Sequence, residues 1–383
     1  MRGHSEEESH VIEPRPEVQG LPIYRPGRPG NVSADAMLNL AANENAWGPS
    51  PAAVEAWRRW DGGATYPDMG GQILKEALEA QWSVPSSAML LGTGSGHLIK
   101  CLAETYLRPN DRVAAVHPTF SLYAQGASLM GAQVAALPGT GHQVSWAALP
   151  DWVADHHPRL VFLCTPNNPT GDVAPAAVIQ GLLAALGDDG LLVLDEAYRD
   201  FSLPEPDTTR LLAVHANVVL LRTLSKAYGL AGLRVGALLA APAVVDAVGR
   251  VREPFPVSAP ALLMGRAAVL DEPYRRQVVA AVQVGRRRLE WALAARGWSV
   301  NPSQANFVWA APPSGDAEAW QAQLSARGIL VRWGGSFGVA DHLRITVGTP
   351  VQEGRLLAAL DDIAERRQAS FPGDREGGLA GGR

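Results

Sequence analysis

Lysine is almost missing from this 383-residue chain. Of 33 basic side chains only Lys75, Lys100 and Lys226 carry a primary amine, so chemistry that needs an amine has three candidates. Cysteine is as scarce: Cys101 and Cys164 are too few for a disulfide framework, read as buried small residues and suggest a reducing compartment. Charged residues make up only 19% of the chain, and no dense basic block occurs. With a net charge of −5, a nucleic acid or an anionic membrane is not the expected partner. No apolar run reaches membrane-spanning length, and the polar stretch Met1–His10 lacks the apolar core of a signal peptide, so a cytoplasmic location is expected.

Hydrophobic residues amount to 47%, enough for a sizeable core, and the length allows two or three packed units. Residues 1–20, rich in Glu and Pro, read as an irregular arm, and the Gly-rich stretch 371–383 reads as a flexible tail. No internal repeat is visible. Between the ends, apolar runs at Val113–Val116, Leu160–Cys164, Leu191–Leu194, Val218–Leu221 and Val235–Leu239 read as buried strands. Helical patterns at 97–107, 119–130 and 175–186 separate them, which implies an α/β fold with a mostly parallel sheet covered on both faces. Ligands of such sheets sit outside the carboxyl ends of the strands. After Glu253–Pro260 the pattern changes to Arg- and Ala-rich helices over 261–296, then short strands near Asn306–Ala310, Leu330–Arg332 and Leu343–Val347. A smaller α+β domain is expected there.

The strand ends carry the chemistry. Gly92-Thr93-Gly94-Ser95-Gly96 follows an apolar run and opens a helix, where backbone amides favour an anion such as phosphate; a glycine turn without a ligand is the alternative. A dinucleotide site would need an acid after the next strand, but His117-Pro118-Thr119-Phe120 stands there. Thr165-Pro166-Asn167-Asn168-Pro169-Thr170-Gly171 brings two amides to the same edge. Asp195, closing the run Leu191–Leu194, needs a cationic or donor partner if buried, or else caps a helix. Lys75 and Lys100 each have a Glu four residues on, Glu79 and Glu104, and read as helix-face lysines. Lys226 has none; it follows Thr223 and Ser225 and precedes Arg234. An enclosed lysine can lose its proton and act as a Schiff-base nucleophile. Phosphate donors, an amine, a carboxylate and an aromatic residue together describe a pocket for pyridoxal 5′-phosphate.

With these residues in view, the chain resembles the fold-type I, class I/II aminotransferases, nearest to their histidinol-phosphate branch. The likeness runs from about Tyr24 to Gly348 and rests on Tyr24-Arg25-Pro26-Gly27, Asn43-Glu44-Asn45, Tyr66-Pro67-Asp68, Asn167-Asn168-Pro169-Thr170-Gly171, Asp195-Glu196-Ala197-Tyr198, Thr223-Leu224-Ser225-Lys226 and Leu343-Arg344-Ile345-Thr346-Val347-Gly348. It implies the pyridoxal-phosphate-dependent transferase fold: a segment 21–47 on the small domain, a large cofactor domain 48–255 with a mostly parallel seven-stranded sheet sandwiched by helices, and a small α+β domain 256–370. By the same resemblance Lys226 is the Schiff-base lysine and proton shuttle, and Asp195 the partner of the ring nitrogen. Asn168 and Tyr198 serve the ring hydroxyl, and Phe120 stacks on the ring. Ser95, Gly96, Thr223, Ser225 and Arg234 hold the phosphate, with Tyr66 contributed across a homodimer interface. Tyr24, Asn45, Arg332 and Arg344 face a small-molecule amino substrate, Arg344 as a carboxylate fork and Arg332 toward a distal phosphate. No metal enters the scheme.

The chain departs from that pattern at Gly96-His97, where Asp-Glu is usual, at His117 and Phe120, where Tyr is usual, at Ala46 for Pro, and in the loop 332–337. His97 reads as a plain helix N-terminal residue. Transamination is the expected reaction. Decarboxylation, decarboxylative deamination or β-elimination on the same scaffold are the alternatives, and a non-catalytic regulatory domain is a third reading for which the 20-residue arm leaves no DNA-binding module.

Overall fold

The computed structural model describes residues 12–21, 37–137, 144–313 and 315–370; Tyr24 lies outside them. Its strands are β1 (Leu38–Asn39), β2 (Met89–Thr93), β3 (Arg112–Val116), β4 (Gln133–Leu137), β5 (Leu160–Cys164), β6 (Leu191–Asp195), β7 (Val218–Thr223), β8 (Val235–Ala240), β9 (Ser299–Asn301), β10 (Phe307–Ala311), β11 (Ile329–Leu330), β12 (Arg332–Trp333) and β13 (Leu343–Thr346). Seven of them form one sheet in the order β2-β8-β7-β6-β5-β3-β4. Only β8 runs antiparallel to its neighbours β2 and β7. The expected mostly parallel, helix-covered α/β architecture is therefore present.

Alternation along these strands builds the core. Val161, Leu163, Leu192 and Leu194 enter one apolar cluster, while Leu160, Phe162 and Val193 enter another on the opposite face. Each such side chain, fully buried, contributes roughly 1.5–3 kcal/mol. The short alanine-rich β4 carried too little β-branched character to be read as a strand from sequence.

A second sheet, β12-β13-β10-β9, lies under a third cluster that includes Trp298, Val308, Ile345 and Leu356. Leu38 and Leu40 join that cluster, and β1 pairs with β11. The single strand expected near Leu330–Arg332 is thus two: Ile329–Leu330 pairs with β1, and Arg332–Trp333 with β13. The pattern 261–296 also resolves into two helices, Ala259–Leu270 and Glu272–Ala294. Ala261, Leu262, Ala268 and Val269 of the first pack into the large-sheet cluster, although the sequence assigned them to the small domain. Periodicity announces a buried face without naming the surface that buries it. Within the arm expected to be irregular, Pro16–Gln19 forms one helical turn, and Arg15 donates to the Leu129 carbonyl at 3.0 Å. Among the described residues no helix is long and apolar enough to cross a membrane.

Candidate active site

The parallel strands β2, β5, β6 and β7 end along one edge, and a cavity of about 400 Å³ opens there. It is lined by Ser95, Gly96, Phe120, Asn168, Asp195, Tyr198, Thr223, Ser225, Lys226, Arg234 and Arg344, so eleven of the expected site residues converge on one volume.

One end is built for an anion. The helix Ser95–Tyr106 starts at the cavity, presenting its first amides. Thr223 Oγ1 lies 2.9 Å from Ser225 Oγ, and Arg234 Nη1 reaches that serine at 3.5 Å. Arg234 adopts left-handed backbone (φ 57°), unusual for a non-glycine, which turns its guanidinium back over Gly94. Gly94 (φ +79°) admits it: a Cβ there would lie 2.5 Å from Arg234 Nη2. On the adjacent strand a Cβ at Gly236 would lie 2.5 Å from both Gly94 C and Ser95 N, so only a bare α-carbon lets β8 support this cup. Gly236→Ala is expected to displace the cup and weaken phosphate-dependent ligand binding about tenfold or more, which titration of the cofactor-free protein checks.

The opposite end is built for a cation. Asp195, 2% exposed, accepts from Tyr123 Oη at 2.7 Å and from the Ala197 amide at 3.1 Å. Burial raises its pKa to about 6, and those two donors oppose the rise. The amide contact makes Asp195 the cap of a local turn, not of a helix. Glu196 is turned away from the cavity, held by Arg222 Nε at 2.8 Å and Thr208.

Lys226 stands between the two ends. Its Nζ donates to the carbonyls of Ala42 and Asn43 at 3.2 and 3.0 Å, and burial, then the Arg344 and Arg234 charges, lower its pKa to about 7. The amine is therefore close to half neutral at physiological pH. Of the other lysines, Lys100 pairs with Glu104 at 3.4 Å as expected. Lys75 does not follow the same pattern: Glu79 accepts from the Ser86 amide, and Lys75 is half-buried, its pKa lowered by burial and then by Arg252.

Arg344, buried, donates to Asn168 Oδ1 and to the Ala41 carbonyl, each at 2.5 Å. That contact turns the Asn168 carboxamide so that its NH₂ is left for the cavity. Tyr198 accepts from Asn43 Nδ2 at 3.0 Å, which leaves its own proton free to donate, and burial raises its pKa.

Three expected residues lie elsewhere. Asn45 is occupied by the Ala227 carbonyl and the Trp47 amide and does not line the cavity. Arg332 lies outside the lining and donates to Ser336 Oγ at 2.9 Å. Tyr66 is 81% exposed, stacked on Phe255 with centroids 4.6 Å apart. His97 is more than a helix-end residue: Nδ1 accepts from the Thr93 amide, and Nε2 lies 2.5 Å from Glu253 Oε2, tying the anion loop to the segment after β8.

Two contributors escaped the sequence reading, Tyr123 and Asn43. Asn43 (φ 53°) bonds Thr346 Oγ1 through its amide, while its carbonyl accepts from Lys226 and Asn306, so it joins the two sheets behind the amine. Among the described residues no group of three or more metal-ligating side chains occurs.

Residues 35–360 match the family model "Aminotransferase class I and II". The chain is 39% identical over 352 residues to the histidinol-phosphate aminotransferase of Symbiobacterium thermophilum, covering 90% of this chain and 97% of that one. It is 37% identical to the enzyme of the same name from Moorella thermoacetica, with 92% of each covered. Among solved structures, histidinol-phosphate aminotransferase from Sinorhizobium meliloti in complex with pyridoxal-5′-phosphate superposes with a TM-score of 0.84 at 26% identity, covering 94% of this chain and 99% of that one. A likeness that runs through the anion loop, the Asp195 strand end and the Lys226 loop alike, in sequence and in fold, places this chain in the class I and II aminotransferases.

Proposed function

We propose that this aminotransferase, a pyridoxal 5′-phosphate enzyme, takes histidinol phosphate as its amino donor. The observation that carries this reading is the register of β12 on β13. Arg332 and Arg344 are direct cross-strand partners, and both guanidinium groups lie over the Phe337 ring, at 5.9 and 5.5 Å from its centroid. Two like charges opposite each other on one face repel, a cost that a bound dianion reverses. Histidinol phosphate has no α-carboxylate; its anionic group is a phosphate ester one methylene from the carbon that bears the amine, and two arginines suit a dianion where one would serve a carboxylate. The names of the relatives support the same substrate.

The cavity fits the cofactor by the chemistry of its donors. The amides of Ser95 and Gly96, the hydroxyls of Thr223 and Ser225, and Arg234 would hold the phosphate; Asp195 would pair with the ring nitrogen; Asn168 and Tyr198 would donate to the ring hydroxyl; and Phe120 would cover the ring. When bound, the cofactor supplies an electron sink for the bond broken at the substrate carbon. Lys226 Nζ would hold the aldehyde end and, once freed by the substrate amine, would take the proton from that carbon and deliver it across the nitrogen to the former aldehyde carbon, a transfer that needs the near-neutral amine described above. Asp195 keeps the ring nitrogen protonated by staying ionised opposite it, and Arg344 orients the substrate anion.

Two further parts belong to this reading. The chain acts as a homodimer, with the exposed Tyr66 of each copy reaching the phosphate in the neighbouring subunit's site. It works in the cytoplasm, consistent with two buried free thiols. A mixture of inactive Lys226→Ala and Tyr66→Phe chains is expected to regain activity in hybrid dimers, whereas no recovery removes the shared site.

The holoenzyme given histidinol phosphate alone is expected to lose its long-wavelength cofactor absorption and release the keto product, and a keto-acid acceptor added afterwards is expected to restore the absorption; no spectral change, or release of inorganic phosphate in place of the keto product, overturns the assignment. Arg332→Gln is expected to raise KM for histidinol phosphate about tenfold, the scale of one lost charged hydrogen bond, with little change for an amino donor bearing only a carboxylate. Equal loss on both donors overturns the phosphate role.

A further inference from the structure

Tyr123 is 0% exposed in the first turn of the helix Leu122–Leu129. Its ring lies flat on Phe162, centroids 4.8 Å apart and planes 8° apart, and meets Phe120 edge-on at 5.7 Å. With the ring clamped on two sides, the hydroxyl has one direction, and it ends 2.7 Å from Asp195 Oδ2. The Ala197 amide holds the other oxygen, so the plane of the carboxylate is set by a donor at each end.

We propose that Tyr123 is a positioning residue that acts through Asp195, keeping the carboxylate ionised and fixing its plane toward the cavity. The proposal rests on the assignment of Asp195 to the ring nitrogen. The need for such a residue follows from where Asp195 sits. At the buried end of β6 a carboxyl group drifts toward its neutral form, and a neutral carboxyl cannot keep a ring cation protonated. Of the groups packed around it, Cys164, its register partner on β5, stays an uncharged thiol because burial raises its pKa. Tyr198 is likewise held neutral by burial. Glu196 lies on the other side of the strand, where its charge disfavours a second one, and Lys226 offers only a partial positive charge. That leaves the Tyr123 hydroxyl and the Ala197 amide as the groups hydrogen-bonded to the ionised form. Burial also holds the Tyr123 pKa well above its usual value, so the hydroxyl remains a donor across the working range.

Tyr123→Phe keeps the ring contacts and removes only the donor. In the cofactor-free protein, ¹³C NMR of the Asp195 carboxyl is expected to show its titration displaced upward by about one pH unit. The dissociation constant for pyridoxal 5′-phosphate is expected to rise about tenfold at pH 5, below the wild-type titration, and about twofold at neutral pH. In an Asp195→Asn background the same substitution is expected to change that constant at pH 5 less than twofold, whereas a merely structural role gives the same loss in both backgrounds. An unmoved carboxyl titration, or equal losses in the two backgrounds, overturns the proposal. If Asp195→Asn alone leaves cofactor affinity intact, the ring-nitrogen assignment fails instead, and the NMR titration still decides whether Tyr123 controls the carboxylate.

Discussion

Lys226→Ala is expected to lower turnover about 10⁴-fold or more and to abolish the long-wavelength absorption of the bound cofactor, while the phosphate end of the ligand still binds. Positioned proton transfer alone is worth about 10²–10⁴ in rate, and in the proposed function this residue also forms the covalent link. No other amine can substitute: Lys100 is committed to Glu104, and Lys75 lies beside Arg252, away from the cavity lining. The phosphate end does not depend on the amine, because its donors are backbone amides, two hydroxyls and Arg234. The same amine sets a pH dependence. Its pKa is lowered to about 7, so below that pH the ammonium has no lone pair, and above it the neutral form predominates. The rate at which cofactor-free protein captures pyridoxal 5′-phosphate should rise from pH 6 and level off a little above 7; a rise continuing toward the ordinary lysine value of 10.5 would show that the site does not shift this amine. A Lys226→Ala enzyme retaining substantial turnover would remove its catalytic role altogether.

Asp195→Asn is expected to lower kcat roughly 10²–10³-fold, the scale seen when one preorganised electrostatic partner is taken from a water-excluded site. The amide has nearly the same size and can still accept from the Ala197 amide, so the variant is expected to fold; what it loses is the charge proposed to keep a ring cation protonated. Wild-type cofactor affinity should fall as pH drops through about 6, where the buried carboxylate of the free protein takes up a proton, and the variant should lack this dependence. Absorbance titrations of both proteins between pH 5 and 8 measure it. A variant with unchanged kcat and an unchanged pH profile would show that the ring nitrogen does not depend on this residue.

Much of this site was legible in the chain because its parts lie where local patterns end. An apolar run of four residues announces a buried strand, and a residue just past it, Asp195 or Thr223, is thereby placed at the ligand edge. Helix-face spacing excluded Lys100, and the Ser/Thr/Gly setting singled out Lys226. The same reasoning did not foresee where Asn45 and Arg332 lie, since a residue's neighbourhood in sequence does not say whether its side chain lines the cavity, sits over Phe337 as Arg332 does or, as for Asn45, turns back onto Ala227. His97, read as inert, makes its contact with Glu253, 156 positions away in the chain.

By itself the sequence determined the fold class, the single lysine suited to the chemistry and the strand ends on which the acid and the phosphate donors sit, because these follow from period, composition and turn residues within a few positions. The tertiary structure decided the rest. It brought Tyr123 to Asp195 over 72 residues, Asn43 to Tyr198 over 155 and Arg344 to Asn168 over 176, and it set Arg332 opposite Arg344 through a register that no local pattern records. Contacts of that span are fixed by which buried faces meet when the sheets and helices pack, a property of the whole chain and not of any window along it.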